Sequence, residues 1–250
     1  MRIHKKSNKS NYLLEKVTEI MKNEKRGTVL DLGCGDGDYA KRLKDLGFDV
    51  IATDIDMAKF RFKNEIEFKR CDITKEMPFS DKTFDYVFLM EVVEYLRNPY
   101  IVLPEINRII KDGGYLIVST PNILSLNSRM RFFFEGAYEY FREPPSDQVK
   151  NPREVSFNLH LFPYRYHELE YLLSACGFRI TGIFTSVYEG FALGLLLPLI
   201  KFQAWSKERR SKNKGGIDYS RINRIVLSKE LLFGRHLIIK AEKESSLLRV

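Results

Sequence analysis

Cysteine, histidine and tryptophan are scarce in this chain of 250 residues, which has three cysteines, four histidines and one tryptophan. Cys34, Cys71 and Cys176 are far apart, and none forms a CxxC pair. The sequence therefore predicts neither a disulfide framework nor a metal site, and a reducing, cytoplasmic compartment fits it best. The basic amino terminus is not followed by the apolar core of a secretory signal, which argues against export.

Apolar residues make up 44% of the chain and charged residues 30%, a balance that is ordinary for a folded protein and excludes general disorder. The length favours one α/β domain over residues 1–250. The formal net charge is +8, which would suit nucleic acid, an anionic membrane surface or an acidic substrate. Charge alone does not choose among these partners.

Apolar segments with strand character alternate with helical patterns in the first half of the chain. Strands are predicted at Thr28–Leu32, Asp49–Thr53, Glu67–Lys69, Phe84–Met90 and Tyr115–Ser119. This alternation predicts an α/β fold with a mostly parallel sheet and helices on both faces.

The rhythm changes after Pro121. Residues 122–165 are rich in aromatic residues and predict an insertion on the acceptor side. A helix at Tyr166–Cys176 and a strand at Arg179–Ser186 follow, and residues 188–230 form a second, apolar and basic insertion. His236–Glu242 is predicted as the last strand.

A glycine-rich turn follows the first strand, in the order Gly33-Cys34-Gly35-Asp36-Gly37. Glycines at this position let the backbone turn sharply and approach a ligand closely. The spacing G-x-G-x-G departs from the dinucleotide fingerprint G-x-G-x-x-G, because Asp38 stands where the last glycine would be. Asp31, inside the strand, would repel a pyrophosphate and suits a ligand with an ammonium group.

Two further carboxylates follow the next strands. Asp54 ends the second strand, where an acidic residue can accept hydrogen bonds from ribose hydroxyls. Asp72 follows the third strand and could accept from the amine of adenine, with Ile55 and Ile73 around the ring. Either aspartate alone could instead cap a helix. Together they predict a site for an adenosine with an amino-acid tail.

The run Val29–Gly37, Asp54, the pair Asp72-Ile73 and the stretch from Phe84 to Leu96 resemble the class I S-adenosylmethionine-dependent methyltransferases. Within that class the chain is most similar to the small-molecule group often called type 11. The resemblance implies a Rossmann-like sheet of seven strands, mostly parallel with the last strand antiparallel, and S-adenosyl-L-methionine as the cofactor.

The resemblance also implies roles for individual positions. Asp31 and the backbone of Gly33, Cys34, Gly35 and Gly37 would hold the methionine part of the cofactor. Asp54 would bind the ribose, Asp72 with Ile73 and Ile55 the adenine, and Met90 would lie close to the sulfonium. Many relatives have histidine where Tyr95 stands, so no role is transferred to that position.

A general base is needed only if the acceptor must lose a proton, as a hydroxyl must. His160 is the candidate, because it precedes the helix at Tyr166 in the region that lines the acceptor pocket in similar proteins; a loop histidine bonded to backbone groups is the alternative. His4, His167 and His236 are assigned no catalytic role. The aromatic residues at 129–141 predict either a lid over the acceptor or a core helix.

Residues 191–214 join an apolar run to a basic tail with Trp205 between them. The run is shorter than the roughly 20 residues that span a bilayer, but it suits a helix lying among lipid headgroups. A buried helix followed by a polar linker is the alternative. The membrane interpretation predicts peripheral attachment at the inner face of the membrane and a lipid-linked acceptor.

The sequence therefore predicts an enzyme that methylates an oxygen, or less readily a nitrogen or carbon, of a small or lipid-linked molecule. Nucleic acid is disfavoured as a substrate, because Leu89-Met90-Glu91 stands where amino-methylating DNA enzymes carry an Asn/Asp-Pro-Pro-aromatic motif. RNA- or protein-directed methylation and a non-catalytic, cofactor-binding adaptor are the alternatives.

Overall fold

The computed structural model describes residues 8–141, 162–212 and 219–244. Its strands are β1 (Thr28–Leu32), β2 (Asp49–Asp54), β3 (Glu67–Arg70), β4 (Phe84–Met90), β5 (Ile110–Pro121), β6 (Phe178–Phe184) and β7 (His236–Lys243). They form one sheet in the order β3-β2-β1-β4-β5-β7-β6. The first five strands in this order, β3-β2-β1-β4-β5, pair in parallel, whereas β7 is antiparallel to both of its neighbours. This confirms the predicted Rossmann-like fold.

Helices precede, connect and follow these strands. They are α1 (Asn8–Lys22), α2 (Asp38–Asp45), α3 (Pro99–Ile109), α4 (Leu126–Glu135), α5 (Tyr166–Ala175), α6 (Leu197–Lys212), α7 (Ser220–Val226) and α8 (Lys229–Phe233). Short 3₁₀ helices lie at Met57–Lys59, Val93–Tyr95 and Phe191–Leu196. Among the helices of the described ranges, none is long and apolar enough to cross a membrane.

Strand β4 sends alternate side chains into two cores, because neighbouring residues of a strand point to opposite faces of the sheet. Val87 and Leu89 join the core that contains α3 and α5. Phe88 and Met90 join the core that contains α1 and α2. Burial on both faces explains why this strand reads as an almost continuous apolar run.

The cofactor-side elements lie within one or two residues of their predicted bounds, but β5 is much longer than Tyr115–Ser119. It begins at Ile110, directly after α3, and a register shift between Phe84 and Tyr86 accommodates the extra residues. The aromatic insertion contains α4, so a helix is present as one alternative expected, but Phe132, Phe133 and Phe134 on it are exposed and do not form a core. Ser125 caps the first turn of α4 by accepting the Ser128 N–H, and Gly136 ends the helix in the left-handed conformation.

Candidate functional site

The glycine-rich turn is fastened to the neighbouring strand by its backbone. The N–H groups of Gly33 and Cys34 donate to the Thr53 carbonyl over 2.8 and 2.9 Å. Gly33, Gly35 and Gly37 have φ angles of 80°, 56° and 87°, in the left-handed region that favours glycine. These angles explain why the turn uses glycine at alternate positions.

The three glycines differ in what a side chain would meet. A Cβ on Gly33 would lie 2.8 Å from Val92 Cγ2, and one on Gly37 would lie 2.5 Å from Phe60 Cε2. At Gly35, none of the described residues places an atom within 4 Å of that position. Gly33 and Gly37 therefore allow close packing within the protein, whereas Gly35 faces open space at the edge of the sheet.

Two carboxylates flank the turn. Asp54 Oδ2 accepts the Gly35 N–H at 2.9 Å, and its Oδ1 accepts the Asp56 N–H at 3.2 Å. Asp31 is 1% exposed, and its Oδ2 accepts the Ala40 N–H at 3.1 Å in the first turn of α2. These bonds connect the ends of β1 and β2 to the turn and to the helix that follows it.

The pKa of Asp31 is raised to about 7, mainly by burial. The hydrogen bond from the Ala40 N–H lowers this pKa, whereas the charges of Asp54 and Asp36 raise it. The stretch 29–40 contains three aspartates and no lysine or arginine. A cation near the turn would therefore be favoured, and a phosphate would be repelled. This donor set fits the amine and sulfonium of S-adenosylmethionine.

The remaining predicted cofactor residues lie at the same edge, because the order β3-β2-β1-β4 places the carboxyl ends of these strands side by side. Ile55 is 41% exposed beside Asp54, and Met90 is buried at the end of β4. Ile73 packs against the core that contains α3 and α5.

Asp72 Oδ1 accepts the backbone N–H and the hydroxyl of Thr74, at 3.1 and 2.7 Å. These bonds, with Lys75 nearby, lower the pKa of Asp72. Asp72 therefore stabilises its own turn, and it caps none of the helices in the described ranges.

The predicted base, His160, lies outside the described residues. His167 is the second residue of α5 and lines a surface groove of about 470 Å³ with Phe162, Tyr164 and Tyr171. Within the described ranges no three or more His, Cys, Asp or Glu side chains are grouped so that they could hold a metal ion. Burial raises the pKa of the Cys34 thiol, which argues against a nucleophilic role for it.

A polar cluster at the ends of β4, β5 and β7 was missed by the sequence reasoning. Ser119 donates its hydroxyl to Glu91 Oε1 at 2.8 Å, and His236 Nε2 lies 4.0 Å from Glu91 Oε2. His236 Nδ1 lies 2.6 Å from Ser186 Oγ. These residues are far apart in the chain, and no motif links them, so only the sheet order brings them together.

Several known proteins resemble this chain. The family model described as a methyltransferase domain matches residues 6–182, well over half of the chain. An uncharacterized protein of Methanocaldococcus jannaschii is 39% identical over 118 residues, which are 46% of this chain and 51% of that protein. A ubiquinone biosynthesis O-methyltransferase of Rickettsia bellii is 33% identical over 118 residues, 45% of this chain and 49% of that protein. The chain thus spans about half the length of these curated relatives.

The fold is also found in solved structures. A SAM-dependent methyltransferase from Archaeoglobus fulgidus superposes with a TM-score of 0.57 at 20% identity, covering 92% of this chain and 94% of that one. At this identity the likeness is one of fold alone, and it agrees with the sheet order and the glycine-rich turn. The match to the family model shows the family as well as the fold, because it covers more than half of the chain. The chain belongs to the family whose model is described as a methyltransferase domain.

Proposed function

We propose that this chain is an S-adenosylmethionine-dependent methyltransferase that methylates a hydroxyl oxygen of a small, lipid-linked acceptor, such as a quinone precursor or a polyprenyl-linked sugar, at an anionic membrane surface. The name of the Rickettsia bellii relative supports oxygen as the methylated atom and an amphiphile as the acceptor. The observation that carries the proposal is an exposed apolar surface beside basic side chains, on the second insertion.

At the cofactor site, Asp54 would bind the ribose, and Asp31 with the backbone of Gly33 to Gly37 the methionine part. Asp72, Ile73 and Ile55 would surround the adenine, and Met90 would lie near the sulfonium. The cofactor supplies an already reactive methyl group, so the protein's main tasks are to orient the acceptor oxygen and to exclude water.

The apolar surface is formed by exposed side chains of residues 191–205, of which Phe191 also stacks on Phe233 with ring centroids 5.1 Å apart. Their exposed fractions are large: Phe191 58%, Leu195 89%, Leu199 68%, Phe202 65% and Trp205 53%. The alternative of a buried helix is therefore wrong for these side chains.

The opposite face of the same segment is fixed to the domain. Leu193, Leu197 and Ile200 pack against Leu232 and Phe233 of α8. A segment anchored on one face and apolar on the other is typical of contact with a membrane or partner.

Charge supports the membrane as the contact. Lys201, Lys207, Arg209 and Arg210 are exposed along α6, and the Arg209 guanidinium lies 5.4 Å from the centre of the Trp205 ring. Each basic residue near an anionic leaflet contributes about 1 kcal/mol of attraction. Tryptophan is also enriched at membrane–water interfaces.

The surface lies beside the acceptor side of the domain. Gly190 approaches α4 so closely that a Cβ there would lie 2.4 Å from Asn127 Oδ1. Helix α4 itself exposes Phe133 and Phe134, with 76% and 75% of their surfaces accessible. The two apolar segments would therefore sit near the route by which a lipid-linked acceptor reaches β4.

Vesicle flotation tests the membrane contact. We expect the protein to float with phosphatidylglycerol vesicles. With phosphatidylcholine vesicles, or at high salt, it should remain in the unbound bottom fraction. Leu195→Glu should lower the partition coefficient onto the vesicles at least about tenfold, since burying a leucine contributes about 1.5–3 kcal/mol. Ile101→Glu, a matched control at a 47% exposed position on α3, should bind like the wild type. Equal flotation of both variants would exclude this surface.

Transfer of labelled methyl from S-adenosylmethionine tests the acceptor. Incubation with a cell lysate should place the label in the lipid extract, in a product heavier by one CH₂ that resists mild base as an ether does. Label in RNA or protein would contradict the proposal and favour the macromolecular alternatives. Cofactor binding without transfer to any fraction would favour the adaptor.

A further inference from the structure

Glu91 has an unusual backbone at the end of β4. Its φ angle is 54°, in the left-handed region that disfavours residues other than glycine. Its N–H donates to Ser119 Oγ at 3.0 Å, and the Ser119 hydroxyl donates back to Oε1 at 2.8 Å. Strained backbone of this kind often occurs where a fold holds a functional side chain in place.

His236 is held next to this carboxylate from two sides. It is the first residue of β7 and pairs with Pro121, the last residue of β5. Its Nδ1 lies 2.6 Å from Ser186 Oγ, which leaves Nε2 directed at Glu91 Oε2 over 4.0 Å. The Tyr140 ring stacks on the imidazole, with centroids 6.1 Å apart.

This pair lies between the glycine-rich turn and the acceptor side. Glu91 follows Met90, and Val92 packs onto Gly33, whose Cβ would lie 2.8 Å from Val92 Cγ2. On the other side, Tyr140 belongs to the aromatic insertion and Ser186 follows β6. A hydroxyl brought up to the cofactor site from the insertions would therefore meet the Glu91 carboxyl.

We propose that Glu91 accepts the proton of the acceptor hydroxyl and that His236, tethered by Ser186, is a positioning residue for it. The inference rests on the proposed function. As the O–H proton passes to the Glu91 carboxylate, the oxygen forms its bond to the methyl carbon. The carbon–sulfur bond breaks with its electron pair left on sulfur, and the proton then leaves to solvent.

Burial raises the pKa of Glu91 above its ordinary value, against the Ser119 hydroxyl and the Arg235 charge. The pKa of the neighbouring Glu94 is also raised, by burial and by the charge of Glu91. The titrations of the two carboxyls therefore depend on each other. Among the described residues, the other titratable groups that face them are Tyr39 from α2, Tyr95 from the 3₁₀ helix, Arg235 just before β7 and His236 at the start of β7. Burial raises the pKa of both tyrosines, so they stay neutral.

The first test is independent of turnover. NMR of isotopically labelled glutamate carboxyls in the wild-type protein should contain two resonances that titrate above the ordinary glutamate pKa, and the one that belongs to Glu91 should disappear in Glu91→Gln. In His236→Gln the midpoint of the Glu91 resonance should move upward, because the variant removes an imidazole that lies 4.0 Å from the carboxylate and favours its ionised form whenever the ring carries a proton. Glu76→Gln, at an exposed position, should leave it unchanged. An ordinary midpoint, or no response to His236→Gln, would overturn the proposal.

The second test is the pH profile of kcat with a hydroxyl acceptor. Glu91→Gln should lower kcat by about 10²–10⁴-fold and flatten the acid limb, with cofactor affinity unchanged. His236→Gln should move the acid limb to higher pH. Loss of the acid limb in His160→Ala but not in Glu91→Gln would overturn the proposal in favour of His160. A wild-type enzyme that methylates no hydroxyl would refute the proposed function itself, and the assignment would fall with it.

Discussion

The two sides of the sheet's carboxyl edge are built in different ways. The cofactor side uses backbone: alternate glycines with positive φ and carboxylates that accept backbone N–H groups, all from one continuous stretch of chain. The acceptor side uses side chains from β4, β5, β7 and the segment after β6, brought together by the antiparallel insertion of β7 between β5 and β6. A backbone-built site leaves a local signature in sequence, whereas a side-chain cluster from distant strands leaves none.

Substituting Gly37 and Gly35 separately by alanine would sharpen this comparison most. Gly37→Ala should destabilise the fold by about 2–4 kcal/mol, from the left-handed φ and the close contact with Phe60, and lower Tm by roughly 5–15 °C. Gly35→Ala meets no described atom, so only the backbone cost of about 1–2 kcal/mol should appear.

Cofactor affinity should respond in the opposite order. Gly35→Ala should raise the Kd for S-adenosylmethionine at least about tenfold, or about 1.4 kcal/mol, because its methyl group would occupy the approach to the turn. Thermal unfolding and calorimetric titration of both variants measure the contrast. A proportional loss of stability and affinity in both would show that the two glycines have the same role.

The carboxylate of Asp54, which we propose binds the ribose, should give the next largest effect. Asp54→Ala should weaken cofactor binding by about 1–3 kcal/mol through loss of charge-assisted hydrogen bonds, in calorimetric titration. Asp56→Ala is the matched control, since this carboxylate caps the neighbouring 3₁₀ helix and accepts the Ala58 N–H at 2.8 Å. Affinity equal to that of the wild type in Asp54→Ala would refute the ribose assignment.

The smallest expected effect is a proton released on binding. The pKa of Asp31 is raised to about 7 in the free protein, and a bound cation would lower it. Below pH 7 the free carboxyl is largely protonated, so binding should release a proton and affinity should fall as pH falls. Above pH 8 the carboxylate is ionised in both states, and no proton should be released by it.

Calorimetry in buffers of different ionisation enthalpy measures this release. Asp31→Asn keeps an acceptor for the Ala40 N–H but removes the titration, and the ligand's own amine contributes equally to both proteins. Proton release that is the same in Asp31→Asn and the wild type would exclude Asp31 from cofactor binding. The same raised pKa predicts that Asp31→Asn stabilises the free protein more at pH 8 than at pH 5, because only the ionised carboxylate is penalised by burial.

The sequence predicted the cofactor side of the sheet better than the acceptor side. β1 and β4 have the predicted bounds, because buried parallel strands are apolar on both faces and end at a turn. The glycine-rich turn lies where the motif predicts it, and so do the aspartates inside β1, at the end of β2 and after β3; their roles stay predictions.

The second half was harder to read for physical reasons. The sequence left a lid and a helix open for α4 because Phe132, Phe133 and Phe134 are consecutive and form no single apolar stripe, although its Ser125 and Gly136 caps are ordinary signals of a helix. His236 carried no motif at all. The left-handed φ of Glu91, close to His236, could not be predicted either, because glutamate is not a residue type that favours this conformation.

The central claim is that the acidic, glycine-rich turn holds a cationic, phosphate-free nucleoside. A crystal structure with S-adenosylhomocysteine tests it most directly. The account predicts the thioether in the crevice at the carboxyl ends of β1, β2 and β4, with both ribose hydroxyls within hydrogen-bonding distance of Asp54. A ligand bound elsewhere, or a crevice that stays closed at saturating ligand, would contradict it.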